Sequence, residues 1–99
     1  MSASRYRKKP VEIEAMQWDG TAEGATPIIN WMLENGGTAR YWHAGEWDDG
    51  APEAAYLSID TLEGRMLAGK GDWVIRGVQD EFYPCKPDIF AATYEAVES

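Results

Sequence analysis

The sequence predicts an α+β fold: a single small domain with one α-helix packed on an antiparallel sheet or small barrel of about six short strands. Two observations lead to this prediction. Most of the chain consists of short β-type segments separated by turn residues, and only one segment has a helical pattern. At 99 residues the chain is the size of one domain. We therefore treat 1–99 as a single domain in which 1–9 is a basic, partly flexible N-terminal arm.

The helix is predicted from TPIINWMLENGG, residues 26–37. Thr26 suits the N-cap, Pro27 suits the first turn, and Gly36 with Gly37 suits the end of a helix. Its apolar stripe should pack on the sheet and consists of Ile28, Ile29, Met32 and Leu33.

Strand patterns, separated by turn residues, occupy most of the remaining chain. They cover 11–18, 38–43, 55–62, 65–68, 73–76, 81–85 and 92–97. The first segment has apolar residues on both faces, so we expect it inside the sheet, beside the closing strand 92–97. A single helical turn is predicted at 88–91.

The stretch GRMLAGKGDW (64–73) resembles a phosphate-binding P-loop, G-x-x-x-x-G-K-[ST]. That motif needs a helix after the lysine, whose N-terminus binds the phosphates. Here Lys70 is followed by Gly71 instead of Ser or Thr, and then by the strand pattern WVIR. We interpret Gly69 and Gly71 as turn residues with positive φ. The segment is therefore not expected to be a P-loop.

Charge divides the chain into a basic start and an acidic remainder. The formal net charge is −8, although four basic residues, Arg5, Arg7, Lys8 and Lys9, lie near the start. The rest carries five basic and seventeen acidic residues, a charge near −12. Because nucleic-acid binding depends on basic contacts with phosphates, we do not expect a nucleic-acid partner.

The sequence also does not predict a membrane protein or a secreted protein. No run of eighteen apolar residues indicates a membrane span, and no apolar segment after the basic start indicates a secretory signal. Cys85 is the single cysteine, which excludes an internal disulfide and fits a reducing cytoplasm.

No residue pattern indicates catalysis, a metal or a cofactor. Cys85 and His43 are each the only residue of their type, and no local motif makes them a nucleophile and base. We expect Cys85 to be a mostly buried core thiol without a histidine partner. His43 lies near the carboxylates of 46–49, but zinc prefers more nitrogen or sulfur ligands. The sequence therefore predicts a protein that is not an enzyme.

Five tryptophans are many for a domain of this size, because indoles are large and need a partner for the N–H. We expect Trp18, Trp31 and Trp73 to form the core between helix and sheet. Trp42 and Trp47 flank an acidic loop and are the candidates for exposure.

The predicted interaction surface consists of Tyr41, Trp42 and Trp47, with the carboxylates of 46–49 as its rim. Along the strand 38–43, Tyr41 and His43 share one side, and Arg40 and Trp42 share the other. Exposed Trp, Tyr and Arg are typical anchors of binding surfaces. The alternative for Trp47 is that it packs back on the sheet edge.

Two long segments carry a resemblance: RYRKKPVEIEAMQW (5–18) and TLEGRMLAGKGDWVIRGVQDEFYPCKPDIFAATYEAV (61–97). They are similar to a family of small proteins of tailed bacteriophages, notably phages of actinobacteria. Lys70 stands where that family usually has proline, and Asp80 where it usually has glycine. The resemblance implies a phage accessory protein acting in the host cytoplasm, and it supplies no catalytic residues.

Two function classes follow. The first is a non-catalytic binding module that acts on a host protein, for host takeover or counter-defence. The second is a protein that binds or sequesters a small, nucleotide-like ligand, as a homo-oligomer with a shared pocket. That pocket would need cations, and Arg40 and Arg76 are our site candidates. The other candidate cations are Arg65, Lys70 and Lys86. A structural role in the virion is a third hypothesis.

Overall fold

The structure, a computed structural model, describes residues 3–6, 11–44 and 54–97. These residues form six strands and two helices. In chain order they are β1 (Glu14–Gln17), α1 (Ala22–Glu34), β2 (Ala39–Trp42), β3 (Tyr56–Thr61), β4 (Gly64–Ala68), β5 (Trp73–Arg76), β6 (Phe82–Cys85) and α2 (Pro87–Thr93).

The strands form two three-stranded antiparallel sheets, in the orders β1-β5-β6 and β2-β3-β4. The predicted α+β class and its six short antiparallel strands are confirmed. The division into two sheets was not predicted. It arises because β1 pairs with β5, far along the chain, whereas β2, β3 and β4 pair in sequence as a meander.

Two predictions about the strands are wrong. The first strand lies at the edge of its sheet instead of inside it, since β5 is the central strand of the β1-β5-β6 sheet. Residues 92–97 do not form a closing strand, because α2 continues to Thr93. The sequence signal for this helix is the four-residue spacing of Phe90 and Tyr94, because that spacing places both rings on one side of a helix.

Helix α1 starts earlier than predicted. Its N-cap is Thr21 instead of Thr26, and the Thr21 Oγ1 accepts a hydrogen bond from the Gly24 N–H at 2.9 Å. Asp19 supports this cap, because its Oδ1 accepts from both the N–H and the hydroxyl of Thr21. Pro27 therefore lies inside the helix. The predicted end is confirmed: Gly36 has a φ of +84°, and the Gly37 N–H donates to the Met32 carbonyl at 2.7 Å.

The core lies between α1 and the facing sides of the two sheets. Its fully or almost fully buried residues are Trp18, Ala25, Ile28, Met32, Leu57, Ile59, Ala68, Val74 and Phe82. Trp18 is 0% exposed, and its Nε1–H donates to the Thr21 carbonyl at 2.9 Å. The predicted core role of Trp18 is thus confirmed, and half-buried Trp31 packs edge-on against Phe82.

Trp73 does not lie in this core, contrary to prediction. It is on the opposite face of the β1-β5-β6 sheet, where Phe90 of α2 packs against it. Its ring stacks on Phe90, with centroids 4.0 Å apart and planes 7° apart. Beside this stack the hydroxyl oxygens of Tyr83 and Tyr94 are 3.5 Å apart.

The segment that resembles a P-loop is β-structure. Lys70 lies in the turn between β4 and β5, and the residues after it form a strand. Gly71 has the predicted positive φ, +89°, but Gly69 does not. Asp80 has a φ of +61°, a conformation that favours glycine.

Neither helix of the described part of the chain is long and apolar enough to cross a membrane.

Candidate functional site

The candidate site is the outer face of the β2-β3-β4 sheet, which we define as Arg40, Trp42, Tyr56, Ser58, Asp60 and Arg65. Alternation along the strands places these side chains opposite the core-facing residues Leu57 and Ile59. The register then sets them side by side: Arg40 pairs with Ser58, Trp42 with Tyr56, and Asp60 with Arg65.

A series of contacts between planar groups runs across this face. The Arg40 Cζ lies 3.8 Å from the centroid of the Trp42 ring, which is close enough for a cation–π interaction. The Trp42 ring is in turn stacked with Tyr56, with centroids 6.1 Å apart and planes 13° apart. Arg40 is exposed, Trp42 is half-buried and Tyr56 is buried.

The indole of Trp42 is fixed in place by a hydrogen bond as well as by stacking. Its Nε1–H donates to the Ser58 Oγ at 3.0 Å, and Ser58 is 6% exposed. A buried hydroxyl needs such a partner, since an unpaired one costs about 1–3 kcal/mol. Ring and hydroxyl therefore stabilise each other, and the position of the indole is set before any partner binds.

A hollow of about 280 Å³ lies on the same face, between the side chains of Arg40 and Arg65. It is lined by Thr38, Ala39, Arg40, Trp42, Ser58, Asp60 and Arg65. The Arg65 Nε is 3.3 Å from the Asp60 Oδ1, and both side chains are more than half exposed. An ion pair this exposed contributes little to stability, so Arg65 can exchange Asp60 for a ligand anion.

The structure brings together only part of the predicted site. Arg40 and Trp42 share one face, as predicted. Tyr41 is on the core side, where its ring packs edge-on against Trp18 with the ring centroids 6.1 Å apart. Tyr41 is therefore a packing residue and does not belong to the outer face. Trp47 and the carboxylates of 46–49 lie outside the described residues.

The candidate cations do not converge on one pocket. Arg76 lies in the other sheet, where it binds Glu14 at 2.8 Å and Asp80 at 2.7 Å. Lys86 binds the buried carboxylate of Asp72 at 3.0 Å. Of the five cations considered, Arg40 and Arg65 line the hollow.

Cys85 is partly buried and lies outside the main core cluster, so its predicted role as a core thiol is not confirmed. Its Sγ donates to the Lys86 carbonyl at 3.6 Å. Burial raises the pKa of this thiol, and the nearby carboxylates of Asp72 and Asp88 raise it further. Within the described ranges, no group of three or more His, Cys, Asp or Glu side chains is placed to hold a metal ion.

Sequence reasoning missed Tyr56, Ser58 and Asp60 as parts of the site. The signal was present in YLSIDT (56–61), where Tyr56, Ser58 and Asp60 alternate with the apolar residues Leu57 and Ile59. What the sequence did not show is that Tyr56 and Ser58 lie opposite Trp42 and Arg40.

No protein-family description, curated protein or solved structure matches this chain.

Proposed function

We propose that the protein is a phage accessory protein, a non-catalytic binding module that acts on a host protein in the host cytoplasm. We place the contact on the outer face of the β2-β3-β4 sheet. The observation that supports this most is the contact between the exposed Arg40 and the fixed indole of Trp42.

The composition of this face fits a protein contact. Trp, Tyr and Arg are the residue types that contribute most binding free energy at protein interfaces, often about 2 kcal/mol or more each. Trp42 is already held by Ser58 and Tyr56, so its side chain loses little conformational entropy when a partner binds. Arg40 presents an exposed guanidinium directly beside this rigid apolar surface.

The charges on the outer face indicate what kind of partner it can bind. Arg40 and Arg65 place two positive charges on this face and Asp60 one negative charge, in a chain whose net charge is −8. A broadly acidic partner is repelled by the rest of the surface, whereas one carboxylate beside an apolar side chain fits here. We therefore propose a partner segment that presents one acidic and one apolar or aromatic residue together.

Affinity capture from lysate of an actinobacterial host tests this proposal when it is done with matched variants. Arg40→Glu reverses the charge on the outer face, and Lys70→Glu makes the same change in the exposed turn between β4 and β5. We expect wild type and Lys70→Glu to capture the same host protein, and Arg40→Glu to lose it. Equal capture by the wild type and both variants would place the contact elsewhere.

The hollow supports a second candidate function, binding of a small nucleotide-like anion. Two guanidinium groups and the Ser58 hydroxyl surround about 280 Å³, slightly below the usual size of a ligand pocket. Calorimetric titration with ATP, GMP and pyrophosphate tests it directly. Binding by wild type that Arg65→Ala abolishes would favour this function over the protein contact, and no heat with any of the three would exclude this set of ligands.

A further inference from the structure

A second surface, independent of the outer face, lies between the β3–β4 turn and strand β6. It is an apolar slot of about 320 Å³. We define the slot by its lining residues, Thr61, Leu62, Glu63, Met66, Glu81, Phe82, Tyr83 and Pro84. Leu62 is 79% exposed and Met66 is 43% exposed, so the slot presents apolar side chains to solvent.

Two carboxylates accompany this apolar surface. Glu63 lies in the turn between β3 and β4, and Glu81 lies immediately before β6. The Glu81 Oε2 accepts a hydrogen bond from the Gln79 N–H at 3.1 Å, which fixes the position of that carboxylate. Among the residues that the structure describes, no lysine or arginine lines the slot. Its chemistry therefore fits an apolar or aromatic side chain flanked by basic residues.

The chain contains such a segment itself. Tyr6 is 92% exposed and is flanked in sequence by Arg5 and Arg7, with Lys8 and Lys9 following. Four residues, 7–10, separate Tyr6 from Val11, so the Tyr6 Cα can lie up to roughly 17 Å from the Val11 Cα. With so much of it exposed, the Tyr6 ring does not occupy the slot of its own chain.

We propose that the basic segment of one copy binds in the slot of a second copy, with the Tyr6 ring between Leu62 and Met66. Charge complementarity supports a second copy as the occupant. The basic segment carries four positive charges, whereas the rest of the chain is strongly acidic and puts two carboxylates at the slot. A reciprocal exchange gives a two-fold symmetric dimer with two equal contacts.

Sedimentation velocity over a concentration series, from low micromolar to several hundred micromolar, tests the proposal with the full-length protein. We expect wild type to show a reversible monomer–dimer equilibrium. Tyr6→Ser removes the ring and should raise the dimer Kd at least about tenfold, as for loss of an interface anchor.

Met66→Lys and Leu67→Lys form a matched pair for the slot. The two residues are neighbours on β4 with similar exposure, 43% and 48%, but alternation places them on opposite faces and only Met66 lines the slot. We expect Met66→Lys to prevent dimerisation and Leu67→Lys to dimerise as wild type does. Circular dichroism confirms that each variant is folded.

A mixture of Tyr6→Ser and Met66→Lys completes the test. The first variant retains an intact slot and the second an intact basic segment, so together they should form a heterodimer through one contact. A monomeric wild type at the highest concentration would overturn the proposal, as would equal effects of Met66→Lys and Leu67→Lys. A monomeric wild type would not bear on the outer face, which the proposed function uses. Leu67 pairs with Ser58 on that face, so equal effects of the two lysine variants would place the dimer contact there instead of at the slot.

Discussion

The guanidinium carbon of Arg40 lies 3.8 Å from the centre of the Trp42 ring, two residues along the same strand. This contact follows from strand geometry, because residues i and i+2 share one face of a sheet. The neighbouring strand completes the arrangement with Tyr56, which stacks on the indole, and Ser58, which accepts its N–H. The result is an exposed cation on a rigid aromatic base.

Trp42→Phe should destabilise the fold, because it removes the hydrogen bond to the buried Ser58 hydroxyl. We expect the free energy of unfolding in urea to fall by about 1–3 kcal/mol. Ser58→Ala provides the control. The double variant should lose less than the sum of the two single changes, since either one already removes the bond. Additive losses would show that the bond does not stabilise the fold.

Phe90→Ala tests how strongly α2 is bound to the sheet. Removing the ring that stacks on Trp73 should lower the free energy of unfolding by about 2 kcal/mol. It should also change the fluorescence of Trp73. The adjacent Ile89 is 56% exposed, so Ile89→Ala should change stability by about 0.5 kcal/mol or less. Similar effects of the two substitutions would contradict the observed packing of α2.

Much of the fold was predictable because its signals are local. Alternation and turn residues located all six strands, and Gly36 with Gly37 located the end of α1. The start of α1 was misplaced because Thr26 before Pro27 resembles a helix start. The actual cap needs Asp19 and Thr21 together. The pairing of β1 with β5 depends on contacts distant in sequence, which no local pattern reveals.

Acid should weaken the N-cap of α1. Hydrogen bonds from the Thr21 side chain and then its N–H stabilise the ionised Asp19 carboxylate and lower its pKa below the ordinary value of 3.8. The unfolded chain therefore binds this proton more tightly than the folded chain does. The cap contributes its full stability above pH 3.8, and this contribution is lost as the pH falls through the lower pKa of the folded state.

Asp19→Asn removes this titration. Across acidic pH, we expect the melting temperature of Asp19→Asn to fall less steeply than that of wild type. Glu95→Gln, a change at an exposed residue after α2, is the control and should follow wild type. Parallel curves for wild type and Asp19→Asn would contradict the role of Asp19 in the cap.

Cys85 should react slowly with iodoacetamide at neutral pH. Its pKa is raised by burial and by the carboxylates of Asp72 and Asp88, so the reactive thiolate is scarcer than in a free cysteine. Mass spectrometry of the native protein should show a lower labelling rate than in urea, and Asp88→Asn should raise the native rate. Labelling as fast as in the unfolded chain would contradict this environment.

The candidate site was predictable only within single strands. The shared face of Arg40 and Trp42 follows from alternation along β2, and the structure places them in contact. The grouping of Arg40 with Arg76 was not confirmed, because the two residues lie in different sheets and Arg76 pairs with Glu14. Arg65 lines the site instead, since the β3–β4 hairpin returns it opposite Asp60.

The central claim is that the outer face of the β2-β3-β4 sheet binds a host protein, and Arg40→Ala tests it most directly. Arg40 is exposed, so its removal should leave the melting temperature close to that of wild type. Calorimetric titration with the captured host protein should then show a Kd raised about tenfold or more for Arg40→Ala, and unchanged for Lys70→Ala. Wild-type affinity in a folded Arg40→Ala variant would contradict the claim.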